Sequence, residues 1–255
     1  YFTLTDTLGQ VLPAARIQSA TILLEDGSIY PANVEQPTTP FYIALVLDAS
    51  GSMGSAAQAM RDAAIQAVNN APQEARFAVI RFKDQIDRLQ DFTEDRSQVT
   101  NAIGQVQPRN LAGTCLYDAA YEAVTMLSTA PQGRRAIILF TDGRDETAQG
   151  TICSRHTYGE VVEFANRADS RAPIHTIGLA GGQAINAAEL RNLASSTGGL
   201  SAIGEREDLS AMFGQIMTAL KSQYLATALT CPRAGAHTAT LTVTLEDGSM
   251  PQPAA

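Results

Sequence analysis

The residues best placed to do chemistry follow an apolar run: Ile43-Ala-Leu-Val-Leu47 leads into Asp48-Ala49-Ser50-Gly51-Ser52-Met53-Gly54. One carboxylate and two hydroxyls stand at alternate positions, and two glycines let the loop curl so that several oxygens face one point. Hard oxygen donors without a nearby His or Cys suit Mg²⁺, Mn²⁺ or Ca²⁺ rather than zinc or copper. Taken alone, the D-x-S-x-S pattern reads equally well as a turn whose serines cap a helix. Two further segments add to it. Leu111-Ala-Gly113-Thr114-Cys115-Leu116-Tyr117-Asp118 places a glycine and a hydroxyl just before a helix-like stretch, and Thr141-Asp142-Gly143 follows the buried run Ala136 to Phe140.

The elements that must position these groups are legible as alternating periods. Tyr42 to Leu47, Phe77 to Phe82 and Ala136 to Phe140 are continuous apolar runs, as expected of strands buried on both faces, and Ile174 to Leu179 is a more mixed fourth. Between them, Met60, Ala63, Ala64, Ala67 and Val68 form one helical stripe, and Leu116, Ala120, Ala123, Val124 and Leu127 form another. Thr157 with Glu160, and Asn186 with Glu189, have the spacing of capping boxes, and Gly198 reads as a helix stop. Leu209, Met212, Phe213, Ile216, Met217 and Leu220 mark a last amphipathic helix whose stripe is core packing. Repeated strand–helix units predict an α/β fold, a doubly wound, mostly parallel, Rossmann-like sheet with flanking helices. All three oxygen-bearing segments then fall at the carboxyl edge of that sheet, where such folds bind ligands.

Residues 1–40 and 222–255 read differently, with alternating Thr, Val, Ile and Leu, Asp-Gly turns and no helical period. Leu24-Glu-Asp-Gly-Ser28 recurs as Leu245-Glu-Asp-Gly-Ser249, which reflects turn chemistry rather than a repeat. In a strand–helix fold the first strand enters and the last helix leaves on the same side. Residues 1–40 and 222–255 are therefore expected to pair into a small antiparallel β-sandwich, flanking an α/β domain at 41–221. Gln36-Pro-Thr-Thr-Pro40 reads as the linker. A net charge of −8 disfavours a nucleic-acid partner, and no apolar run approaches the roughly 18 residues of a membrane span. A start at Tyr1 reads as a processed product or a piece of a longer chain.

The combination Asp48-x-Ser50-x-Ser52, Gly113-Thr114 and Thr141-Asp142-Gly143 resembles the von Willebrand factor type A domain with its metal-ion-dependent adhesion site, the module shared with integrin inserted domains. The resemblance covers about residues 41 to 220. It implies that Ser50, Ser52 and Thr114 give hydroxyls directly to a divalent cation, Mg²⁺ first and Mn²⁺ or Ca²⁺ as alternatives, while Asp48 and Asp142 act largely through water. Thr114 is the member that joins or leaves the ion in relatives. Cys115 stands where the family more often has Pro or a small residue. Neutral direct ligands leave the ion under-neutralised, so its open position favours an Asp or Glu carboxylate from a protein or matrix partner.

The resemblance thus implies an adhesion-type binding module, not an enzyme, of a cell-surface or secreted protein, with flanks similar to those of large bacterial surface proteins. Two alternatives stand beside it: a non-catalytic component of an intracellular chelatase- or chaperone-type complex, and a metal-dependent hydrolase. The latter lacks support, for there is no G-x-S-x-G elbow, no P-loop Gly-Lys and no His in the three site segments. His156, His175 and His237 fall in separate elements and are not expected to form one site. Asp145 and Glu146 read as a solvated loop, and Arg134-Arg135 as a solvated strand entry. Of three cysteines, Cys115 and Cys153 are expected on the site face and Cys231 at the opposite end. If a bridge closes within the chain it is Cys115–Cys153, which fits an oxidising, extracellular setting.

Overall fold

The computed structural model describes residues 1–6, 11–12, 15–110, 112–169, 171–180, 186–230, 238–248 and 253–254, the last two by backbone only. Leu111, Cys231, His237 and Ser249 lie outside the described residues, and so do the expectations placed on them. The chain divides into two units, Tyr1–Thr38 with Thr218–Ala255, and Thr39–Met217.

The first unit opens with four short strands, β1 (Phe2–Leu4), β2 (Ile17–Leu24), β3 (Ile29–Pro31) and β4 (Asn33–Glu35). The Asp26-Gly27 pair turns β2 into β3: Gly27 sits at φ +83° and its N–H donates to Leu24 O at 3.0 Å. Only a residue free of the Cβ clash enters that region cheaply.

The second unit begins with β5 (Phe41–Asp48), buried at every position. It continues through α1 (Ala57–Asn69), β6 (Ala75–Phe82), β7 (Ile86–Thr93), α2 (Arg96–Gly104), α3 (Leu116–Ser128) and β8 (Arg134–Thr141). Next come α4 (Tyr158–Ala165), β9 (Ile174–Leu179), α5 (Ala187–Thr197), β10 (Ser201–Gly204) and α6 (Leu209–Lys221). The six strands order as β10-β9-β8-β5-β6-β7, parallel throughout except for β7, which pairs antiparallel with β6. This is the expected α/β architecture. From β5 the chain steps outward through β6 and β7, then returns to the other side of β5 as β8. The strand order therefore reverses between β5 and β8, and at such a point the loops leave in opposite directions and open a crevice.

Alternate residues of one strand face opposite layers. Tyr42, Ala44 and Val46 of β5 belong to a core with Leu116, Ala120 and Val124 of α3, Val161 of α4 and Leu193 of α5. Phe140 of β8, on the other face, stacks on Phe213 of α6 with ring centroids 6.2 Å apart. Each such fully buried side chain contributes about 1.5–3 kcal/mol, which makes the sheet a rigid base for its carboxyl edge. Thr157 caps α4 in a complete capping box, Asn186 caps α5 and Gly198 ends it at φ +76°. Strand β7 and helix α2 carry no apolar run or long stripe and were not expected; Asp95 caps α2 through the N–H groups of Ser97 and Gln98.

The chain ends with β11 (Gln223–Thr227), β12 (Ala239–Leu245) and β13 (Pro253–Ala254). These mix with the amino-terminal strands in two antiparallel sheets, β13-β1-β11-β4 and β12-β2-β3. Phe2, Leu4, Ala20, Tyr224, Val243 and Leu245, from both termini, form the core of this unit.

Candidate metal centre

Asp48 is the last residue of β5 and fully buried. One carboxylate oxygen, Oδ1, accepts the Ser50 N–H at 2.7 Å, and the other, Oδ2, accepts the Thr141 hydroxyl at 2.6 Å. The loop that follows is tied down by its backbone. Ala49 N–H donates to Phe82 O at 2.8 Å, Arg109 N–H donates to Ala49 O at 3.1 Å, and Gly51 N–H reaches Ala112 O at 3.3 Å. A 3-10 turn over Gly51–Ser55 then buries Met53 and turns Ser52 outward, where it is exposed.

Ser52 Oγ donates to Asp142 Oδ1 at 2.7 Å and lies 3.1 Å from Ser50 Oγ. Asp142 directly follows β8, so the ends of adjacent strands bring four of the five expected side chains into one hydrogen-bonded chain. The fifth, Thr114, borders it: its Oγ1 lies 3.3 Å from where a Cβ on Gly143 would stand, and its N–H donates to Glu146 O at 2.8 Å. A side chain on Gly143 would thus stand in tight contact with the Thr114 hydroxyl, which would have to give by a few tenths of an ångström.

The electrostatics of this cluster favour a cation. Burial, then repulsion from Asp142, pushes the Asp48 carboxyl up to about 7, against the pull of hydrogen bonds from Thr141 and Ser50. Burial raises Asp142 as well. Neither carboxylate has a basic side chain among its hydrogen-bond partners in the described residues. A divalent cation among these oxygens would supply the missing charge, and the donor set, two carboxylates and three hydroxyls, fits a hard ion. Among the described residues, no group of three or more His, Cys, Asp or Glu side chains is placed to hold a metal, so this centre has to draw on hydroxyls.

The other residues singled out in the sequence are dispersed. His156 Nδ1 lies 2.7 Å from Asp118 Oδ1, with its ring stacked on Tyr121 at 3.8 Å. His175 is buried in β9, accepts the Leu200 N–H on Nδ1 at 3.0 Å, and is pushed down to about 4 by desolvation. Cys115 and Cys153 form a disulfide with Cα atoms 4.8 Å apart.

Two expectations are corrected. Arg134 is not a solvated strand entry: it is 3% exposed, with its guanidinium 4.5 Å over the Phe41 ring and 3.4 Å from Glu74, because its strand position faces that ring. Asp145 is not a solvated loop residue: it accepts the Leu116 N–H at 2.9 Å and the Ser154 hydroxyl at 2.5 Å. The sequence marked Thr141 as part of a site segment but gave it no role; the structure shows that it orients Asp48. Its place beside Asp142 at the strand end was the available signal.

The family model of the von Willebrand factor type A domain matches residues 43–144. No curated protein sequence matches the chain. Among solved structures, a von Willebrand factor type A protein from Catenulispora acidiphila superposes with a TM-score of 0.59 at 19% identity, over 82% of this chain and 47% of its own. Proximal thread matrix protein 1 of the mussel byssus, with a zinc-occupied MIDAS motif, gives 0.62 at 20% identity over 77% of this chain and 49% of its own. The von Willebrand factor domain of the type V pili tip protein Mfa5 from Porphyromonas gingivalis gives 0.56 at 16% identity, over 72% of this chain and 96% of its own. The chain spans about half the length of the Catenulispora and mussel chains. The matched residues 43–144 include Asp48, Ser50, Ser52, Thr114 and Asp142, so it is this segment of the chain, with all five candidate donors, that matches the von Willebrand factor type A domain.

Proposed function

We propose that this chain is a non-catalytic, adhesion-type binding module that takes an Asp or Glu carboxylate of a protein or matrix partner through a divalent cation, Mg²⁺ in first place. The observation that carries this reading is geometric: the buried Asp48 and Asp142 carboxylates meet at the switch point of the sheet, joined through the Ser50 N–H and the Ser50 and Ser52 hydroxyls, with no basic side chain among their hydrogen-bond partners in the described residues. Ser50, Ser52 and Thr114 would hold the ion by neutral oxygens, with Asp48 and Asp142 balancing its charge. When bound, the ion supplies an electropositive coordination position that an anionic ligand completes. Thr141 keeps Asp48 oriented, and the 3-10 turn keeps Ser52 at the exposed edge, where a partner can reach. The zinc-occupied motif of the mussel protein supports a metal here, and the pilus-tip relative together with the disulfide supports a cell-surface or secreted, bacterial setting. Among the described residues, no helix is long and apolar enough to cross a membrane.

Calorimetry with Mg²⁺, Mn²⁺ and Ca²⁺ tests the reading. Wild type is expected to bind, and Asp48→Ala to lose at least about a hundredfold in affinity, since it removes a charge that balances the ion. Random peptides selected on the Mg²⁺-loaded protein should be enriched in Asp or Glu and released by EDTA. Peptides without acidic residues, or retained in EDTA, would remove the ion from recognition.

A further inference from the structure

The start of α3 is capped in an unusual way. Its N-cap residue, Cys115, offers no side-chain hydrogen bond, being engaged in the disulfide. The N–H groups left over at this helix start are instead met by other segments, mostly by the one that follows Asp142. Thr114 N–H donates to Glu146 O at 2.8 Å, Cys115 N–H to Lys83 O at 2.8 Å, Leu116 N–H to Asp145 Oδ1 at 2.9 Å and Asp118 N–H to Ser154 Oγ at 3.0 Å. The attachment is reciprocal: the Asp118 carboxylate accepts the N–H groups of Arg155 and His156 at 3.0 and 2.9 Å.

The attached segment is itself internally braced. Asp145 also binds Ser154 through the Ser154 N–H and hydroxyl. Thr147 and Thr151 close a turn, Thr147 N–H donating to Thr151 O at 2.7 Å, with Gly150 at φ +77°. Gly113 packs so closely that a Cβ there would lie 2.8 Å from both Glu146 O and Thr147 Cα. Thr114 is therefore gripped on both sides, by backbone packing at Gly113 and by a covalent bond at Cys115.

We infer that residues 144–157 are a clamp that positions the Thr114 hydroxyl for the ion, with Asp145 and the Cys115–Cys153 disulfide as its two fastenings. The inference rests on the metal-dependent reading above and adds residues outside the five oxygen donors. Asp145 and the two cysteines are positioning residues: they reach the site through Thr114. Because the clamp binds the Thr114 segment before any ligand arrives, the site is preorganised, and loosening the clamp lowers ion affinity without removing a ligand.

Three variants test it: Asp145→Ala, Asp145→Asn, and Cys115→Ser with Cys153→Ser. Asp95→Ala is the control, because it removes a helix cap of the same kind on α2 and touches none of the clamp. Hydrogen exchange at residues 114–118 is measured on the ion-free protein, alongside Mn²⁺ affinity by calorimetry and thermal stability. Asp145→Ala and the double serine variant should each speed exchange at Leu116 and weaken Mn²⁺ about tenfold. Asp145→Asn, which keeps an acceptor oxygen, should recover most of that affinity. Asp95→Ala should lower the melting temperature with no change in Mn²⁺ affinity. Unchanged exchange in both clamp variants overturns the inference, as does faster exchange with unchanged affinity. If the double serine variant fails to fold, Asp145→Ala decides with the disulfide intact. A wild type that binds no ion would defeat the functional reading, while exchange at 114–118 would still decide whether the segment holds Thr114.

Discussion

Strands β5 and β8 lie side by side, and each end of the pair buries charge, in opposite ways. At the amino ends, Arg134 is enclosed with its partners: the Phe41 ring beneath the guanidinium and Glu74 at its rim. At the carboxyl ends, Asp48 and Asp142 are enclosed among hydroxyls; burial raises both carboxyls, and Asp142 further raises Asp48. A buried charge whose counter-charge belongs to the fold is a structural device. A buried pair of carboxylates with no basic side chain among its hydrogen-bond partners in the described residues is one that an external cation would neutralise.

The largest effect that would sharpen this contrast lies in the pH dependence of stability. Asp48 is raised from 3.8 to about 7, so the ion-free folded state holds its proton more tightly than the unfolded chain does. That stabilisation is complete below pH 3.8 and is lost as pH rises to 7, about 4 kcal/mol in all. His175 works the other way. Its folded value of about 4 lies below the unfolded 6.5, so its stability is complete above pH 6.5 and about 3 kcal/mol is lost as pH falls to 4. Between pH 4 and 6.5 the two slopes oppose each other, and the ion-free wild type should show a nearly flat urea midpoint. Asp48→Asn removes one slope, so acidification should then destabilise the domain by about 3 kcal/mol. Saturating Mg²⁺ should have a similar effect on wild type by holding Asp48 ionised. A flat profile in Asp48→Asn would refute the buried neutral His175, and a steep one in ion-free wild type would refute the raised Asp48 carboxyl.

The amino end supplies the second test. Arg134→Met keeps most of the buried stem and removes the charge, so the cation–π contact and the pair with half-exposed Glu74 are lost together, about 2 kcal/mol. The loss should be the same with and without Mg²⁺, and ion affinity should not change. A neutral or stabilising change would mean that desolvation of Arg134 outweighs its partners, and the amino end would no longer count as a settled pair.

How much of this was open to sequence reading depends on how local the physics is. The apolar run Ile43 to Leu47 and the stripe from Leu116 to Leu127 announce their elements because burial on both faces, or on one, leaves a period in the sequence. Asp48 and Asp142 were found because each closes such a run. Strand β7 escaped because it is a half-exposed edge strand with neither a continuous apolar run nor strict alternation. The roles of Arg134 and Asp145 escaped for a different reason. Two adjacent arginines look alike until the strand turns one onto Phe41, and a carboxylate that caps a helix about thirty residues away obeys no spacing rule.

Thr141 is the finest probe of the carboxyl end, because it touches Asp48 and is not one of the five expected donors to the ion. Its hydroxyl donates to Asp48 Oδ2 at 2.6 Å and accepts the Gly143 N–H at 3.0 Å, so one small side chain links the end of β5 to the turn beside Thr114. Thr141→Val keeps the shape and deletes both bonds. The Asp48 carboxylate then loses one of the interactions that pull its pKa down, so it ionises less readily, and protons compete better with the cation. Mg²⁺ affinity should fall by about tenfold at pH 7. It should recover toward wild type at pH 8.5, where Asp48 is ionised in either protein. A deficit that persists unchanged at the higher pH would mean that Thr141 acts by holding geometry alone, and the charge imbalance at this end of the sheet would then contribute less to ion binding than the orientation of its oxygens.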